Sequence, residues 1–262
     1  MKLNGKNVVI TGASSGVGEA LAFKVAESGG TPILLARNVE KLQQISQTIE
    51  QKYLLHCPFY QLDVQDLEKV NQTFRTIIED TGTIHVLANN AGFGVFDEVI
   101  DINLTEMKDM FEVNVFGLIA CTKAVLPSMI EQNEGHIINV ASQAGKIATP
   151  KSSVYSASKH AVLGFTNSLR MELRDTNIFV TAVNPGPIAT GFFDIADKSG
   201  NYKKSVERFM LEPDFVAEKI IDAMFTPKRE INLPGWMNAA SKFSQVFPEF
   251  VEKVGGKAFY KK

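Results

Sequence analysis

The chain has 262 residues, 45% of them hydrophobic and 21% charged, a balance that excludes the disordered and fibrous classes and suffices for a sizeable core. A formal net charge of −2 argues against bulk electrostatic binding to nucleic acid or an anionic membrane. Two cysteines, Cys57 and Cys121, form no CxxC pair, and His56, His85, His136 and His160 have no ligand spacing, so neither a disulfide framework nor a metal site is expected.

The first residues hold only a short apolar run before Thr11-Gly12, with no leader pattern. No stretch reads as the roughly 18 consecutive apolar residues of a membrane span, and the cytoplasm is the expected location. Strands are expected at 8–10, 32–36, 59–62, 86–88, 136–140 and 179–183, with a weaker one at 230–233. Most lack polar alternation, as parallel strands covered on both faces do. Helical spacing fills the intervals: Leu21, Val25 and Ala26 after the first strand, Leu42, Ile45 and Ile49 after the second. Asp66 is a helix start ahead of Val70, Phe74 and Ile77. Repeated strand–helix alternation means right-handed crossovers and a Rossmann-type α/β fold, a doubly wound, mainly parallel seven-stranded sheet with helices on both faces.

No linker divides the chain, so 1–262 is read as one domain. A substrate loop is expected at about 190–214 and an apolar helical tail at about 236–262. In that tail Phe243, Val246, Phe247, Phe250, Val251 and Val254 make a stripe. Packing of the stripe on the core is expected, in preference to a membrane-surface helix.

Thr11-Gly12-Ala13-Ser14-Ser15-Gly16-Val17-Gly18 follows the first strand and opens a helix. Gly12 permits the tight turn, Gly16 lets amides approach a pyrophosphate and Gly18 lets the helix lie against the sheet. Arg37-Asn38 ends the second strand, with no acid between Ile33 and Val39. A carboxylate there would hold a ribose 2′-hydroxyl, whereas a guanidinium pairs with a 2′-phosphate, so NADP(H) is expected rather than NAD(H). Tyr155 and Lys159 lie four apart on a helical run and share one face. The ammonium is expected to lower the phenol's pKa and suit it to proton transfer. His160, next in sequence, points about 100° away and is read as structural.

The TGxxxGxG turn, Asn89-Asn90-Ala91-Gly92 after the fourth strand, Ser142, Tyr155-x-x-x-Lys159 and Pro185-Gly186 with Thr190 together resemble the short-chain dehydrogenase/reductase family, from about Lys6 to Thr190. The resemblance implies that Asp63 and Val64 contact an adenine ring, that Asn90, Ala91 and Gly92 line the cofactor site, and that Pro185, Gly186, Ile188 and Thr190 cover the nicotinamide end. It also implies a tetrad: Asn114 keeping a water for a proton relay, Ser142 holding the substrate oxygen, Tyr155 transferring the proton, and Lys159 reaching the nicotinamide ribose. Members of the family associate through helices corresponding to about 104–131 and 153–174, so a homodimer or homotetramer is expected. The expected activity is hydride transfer between NADP(H) and a carbonyl or secondary alcohol. Phe192, Phe193, Ile195 and Met210 in the loop suggest a small to medium apolar substrate. A dehydratase or epimerase on the same scaffold, or an NADP(H)-binding redox sensor, are the alternatives.

Overall fold

Seven strands form one parallel sheet in the order β3-β2-β1-β4-β5-β6-β7: β1 (Asn7–Thr11), β2 (Thr31–Ala36), β3 (Phe59–Gln61), β4 (Val86–Asn89), β5 (Gly135–Val140), β6 (Ile178–Pro185) and β7 (Glu230–Leu233). The computed structural model describes residues 1–197, 200–251 and 253. The helices are α1 (Gly16–Glu27), α2 (Val39–Tyr53), α3 (Leu67–Thr81), α4 (Leu104–Phe111), α5 (Leu118–Gln132), α6 (Ser153–Glu172), α7 (Phe192–Ala196), α8 (Asn201–Val206), α9 (Pro213–Ala223) and α10 (Gly235–Val246).

The period of two in each strand sends alternate residues into two separate cores. Val8, Ile10, Leu34 and Val86 meet Leu21 and Val25 of α1, Leu42 and Ile45 of α2 and Ile220 of α9. On the opposite face Val9, Ile33, Leu35 and Leu87 meet Phe74 of α3, Val125 of α5 and Leu169 of α6. Two helix starts follow from side-chain caps: Asn38 accepts the Lys41 amide at 3.0 Å and Asp66 accepts the Lys69 amide at 2.9 Å. Strand order reverses between β1 and β4, and the crevice outside their carboxyl ends is where such sheets bind ligands.

Two expectations change. Helix Leu104–Gln132, continuous through α4 and α5, has 29 residues with a mean hydropathy of 1.6 over its most apolar window, long and apolar enough by those measures to cross a membrane. Its apolarity has a core explanation, because it is packed on two sides. Cys121, Val125 and Met129 lie against the sheet, and Val115 and Leu118 lie against Val162 of α6. The tail stripe, in turn, does not pack on the core. Phe243, Val246, Phe247 and Phe250 are exposed, while Ser241 is the buried residue of α10. Polar bonds seat this helix: Lys146 donates to Asn238 at 3.2 Å, and Gln245 donates to the Lys146 carbonyl at 3.3 Å. Val254 lies outside the described residues.

Candidate active site

The glycine turn is held by the end of β4. Thr11 Oγ1 accepts the amides of Asn90 and Ala91, each at 3.0 Å, and the Asn90 side chain donates to the Thr11 and Gly12 carbonyls at 3.0 and 3.2 Å. Gly12 has φ +66, and a Cβ there would lie 2.9 Å from the Ala91 Cα. A Cβ on Gly18 would run into the Gly12 carbonyl. Any side chain at either position would therefore push the strands and α1 apart. Ser15, at the N-cap of α1, makes no side-chain cap bond, so the first amides of the helix are left for an anion. This cradle of close-packed glycines and unclaimed amides fits the diphosphate of a dinucleotide.

Around the cradle the predicted positions fall in three groups. Arg37 directly follows β2 with its side chain 77% exposed, 4.0 Å from the carboxylate of Asp63, two residues beyond β3. Asn38 beside it has its side chain spent on capping α2. Val64 is buried among the core residues of the second face, so its side chain offers little surface to a ligand. Across the crevice, a Cβ on Gly16 would lie 3.1 Å from Thr190 Cγ2, which brings the 185–190 loop over the glycine turn. Ile188 is partly buried and bridges Leu211. Ser14 sits in the turn itself, while Val17 is buried in the first turn of α1.

The four tetrad positions converge at the carboxyl ends of β4 and β5. Tyr155 and Lys159 on α6 are buried, and the Lys159 ammonium lies 5.9 Å from the Tyr155 ring centroid. Lys159 donates to the Val140 carbonyl at 3.0 Å. Ser142 accepts the Ala144 amide at 3.0 Å, its hydroxyl reaches the Pro185 carbonyl at 3.5 Å, and its proximity acts to lower the pKa of the Tyr155 phenol. Asn114 sits in a π-helical turn, Glu112–Gly117, between α4 and α5. Its side chain accepts the Phe93 amide at 3.0 Å and donates to the Phe93 carbonyl at 2.9 Å and to Ser158 at 3.1 Å. A Cβ on Gly92 would lie 3.0 Å from Asn114 Oδ1 and 3.4 Å from Lys159 Nζ, so these three positions meet at one point. His160 bonds the Ser156 carbonyl at 2.8 Å, in line with a structural role.

The expected depression of the Tyr155 pKa is not found in the free protein. Burial pushes the phenol up to about 12, opposed by the Ser142 hydrogen bond and reinforced by Tyr202. Burial also draws Lys159 down to about 8. In a pocket this dry, the loss of hydration sets the direction of both shifts. The dryness comes from residues outside the motifs. Phe96 and Phe192 pack against the Tyr155 ring, both at 5.7 Å, and Tyr202 packs on Phe96 at 5.3 Å. The Phe96 amide donates to the Ala196 carbonyl at 2.8 Å, which ties the loop after β4 to α7. Sequence reasoning named Phe192 but missed Phe96 and Tyr202. The one available signal was Phe96's place just after the NNAG motif.

The family described as short chain dehydrogenase matches residues 6–199. The chain is 36% identical over 230 residues to the NADP-dependent 3-hydroxy acid dehydrogenase of Schizosaccharomyces pombe, covering 85% of this chain and 88% of that protein. A short-chain dehydrogenase/reductase from Burkholderia phymatum, solved in complex with NAD, superimposes with a TM-score of 0.88 at 26% identity, over 95% of this chain and 96% of that one. The alcohol dehydrogenase of Thermococcus sibiricus, solved with 5-hydroxy-NADP, gives 0.79 at 28% identity, over 87% and 95%. The chain belongs to the short-chain dehydrogenase/reductase family of oxidoreductases.

Proposed function

We propose that this protein transfers a hydride between NADP(H) and an apolar carbonyl or secondary alcohol, with Tyr155 as proton donor and acceptor. The observation that carries the reading is the convergence of buried Tyr155 with Lys159, whose ammonium lies 5.9 Å from its ring, and with Ser142, whose hydroxyl acts to lower the phenol's pKa, at the end of the crevice that the glycine turn opens. Two hydroxyls placed together in this way can hold one carbonyl oxygen between them. The bound nicotinamide supplies or takes the hydride at the substrate carbon. In reduction, Ser142 steadies the developing alkoxide and Tyr155 gives its proton to the oxygen; in oxidation Tyr155 takes the proton back. Lys159, fixed to Val140, supplies a positive charge beside the phenol. The Asn114 side chain is spent on Phe93 and Ser158, so in this site it braces the loop after Gly92 beside Lys159. Phe96 and Phe192 keep water from the reacting groups and favour an apolar substrate.

The choice of NADP(H) over NAD(H) rests on Arg37 and the missing acid at the end of β2. Loss of NADPH absorbance with a panel of apolar ketones and aldehydes tests the reaction. Binding without turnover across the panel would favour a redox sensor instead. A homo-oligomer built on helices 104–132 and 153–172 belongs to the same proposal. Leu104, Phe116 and Ile130 remain exposed there, and a 28.8 kDa particle in light scattering at micromolar concentration would refute it.

A further inference from the structure

Helix α10 is amphipathic in the sense opposite to a core helix. Its polar side faces the body through Asn238, Ser241 and Gln245, and its aromatic side faces out. Trp236, Phe243, Val246 and Phe247, with Phe250 beyond the helix, are each between 47% and 67% exposed. The Phe243 ring lies 5.2 Å from Phe247 and 6.0 Å from Phe250, so these side chains form one contiguous ridge. Phe209 stacks on Trp236 at 5.8 Å and extends the ridge toward the substrate loop. A contiguous apolar surface of this kind needs a cover.

Charge indicates which cover. Residues 236–262 carry five lysines and two glutamates, while residues 1–235 carry 22 basic and 27 acidic side chains. The overall net charge of −2 therefore conceals a basic tail on an acidic body. Lys242 precedes Phe243 in sequence and Lys253 follows Phe250 by three residues, and both are exposed. Aromatic rings beside lysines with long apolar stems suit a lipid headgroup boundary: the rings enter it, and the ammonium groups extend to the phosphates. Exposed Glu249 lies between these two lysines, and the remaining positive charge of the tail lies in sequence beyond Lys253. An anionic bilayer presents the opposite sign.

We infer that α10 and the turn after it seat this protein on the surface of an anionic lipid bilayer. The seat lies next to the candidate active site: a Cβ on Gly186 would come within 2.8 Å of the Met237 sulfur, and Met237 is on α10. The 185–190 loop, which lies over the glycine turn, is thereby held beside the lipid phase, where apolar substrates concentrate.

The test uses the full chain and vesicles of phosphatidylcholine, alone or mixed with phosphatidylglycerol, and reads the bound fraction by flotation. Turnover is not read, so the result stands apart from the proposed reaction. Affinity for the mixed vesicles should exceed that for phosphatidylcholine by at least about tenfold and should fall as salt rises. The triple variant Phe243→Ser, Phe247→Ser, Phe250→Ser should lose binding by a similar factor while keeping its melting temperature and NADPH affinity. Should that variant misfold, Lys242→Glu with Lys253→Glu leaves the ridge intact and should abolish the preference for phosphatidylglycerol. No binding, or equal binding to both vesicles, overturns the inference. So does a wild-type oligomer that the triple variant dissociates without any vesicle binding, because the ridge would then be an interface between copies.

Discussion

The Lys159 ammonium donates to the Val140 carbonyl at 3.0 Å, so the lysine is anchored to the end of β5 rather than to the Tyr155 phenol. Burial leaves its pKa near 8 and that of Tyr155 near 12 in the free protein. The proposed reduction needs a protonated phenol and a charged lysine, and as pH rises the lysine is the first of the two to be lost. Because kcat/KM reports groups of the free enzyme, its value for reduction should be level below about pH 8 and fall above it. The fall should vanish in Lys159→Met, which should be slow at every pH. A wild-type profile level to about pH 10 would remove the lysine's charge from the mechanism.

Tyr155→Phe deletes one hydroxyl and keeps a ring that Phe96 and Phe192 pack against. Turnover should fall by about 10²–10⁴, with little change in melting temperature or NADPH affinity. Retention of more than about a tenth of normal activity would move the proton donor elsewhere, with Ser142 the remaining candidate.

Arg37 is 77% exposed and only loosely engaged with Asp63, at 4.0 Å, so its guanidinium is free to turn toward a 2′-phosphate. NADPH should bind at least tenfold tighter than NADH, a difference of about 1.4 kcal/mol. Arg37→Asp should invert the order. Titration calorimetry that gave equal affinities in the unmodified protein would contradict the assignment.

His136 is a buried polar group with its tautomer fixed by its partners. Its Nδ1 accepts the Phe225 amide at 3.0 Å, so Nε2 carries the hydrogen and donates to Thr181 at 2.8 Å. Burial lowers its pKa from 6.5 to about 3. The unfolded chain thus binds a proton that the folded chain refuses. Stability from this site is complete above pH 6.5 and is lost as pH falls toward 3, by up to about 1.4 kcal/mol per pH unit. Urea midpoints between these limits should slope less in His136→Phe, although that variant is weaker at neutral pH. Parallel slopes would assign the acid sensitivity to other groups.

Much of the arrangement is legible in the sequence because its signals are local. The glycine turn stands directly after a short apolar run, Asp66 and Asn38 cap the helices they precede, and Tyr155 and Lys159 share a face by spacing alone. The parts that could not be read are long-range. Phe96 reaches Tyr155 because its amide is tied to Ala196, a hundred residues along. The pKa directions depend on how dry that pocket becomes, and no motif records this. Periodicity finds the stripe of α10 but is blind to which side meets the body; the Lys146 bonds decide that.

The π-helical turn at Glu112–Gly117 has one more consequence. A π turn is a regular helix carrying one surplus residue, so the chain before it is out of phase with the chain after it by about 100°. Losing a single residue in this segment would restore the ordinary ladder and cost few backbone bonds. It would also swing Asn114 away from Phe93 and Ser158, and the loop after Gly92 would lose its brace. This stretch of helix therefore tolerates exchange of its side chains more readily than any change in its length.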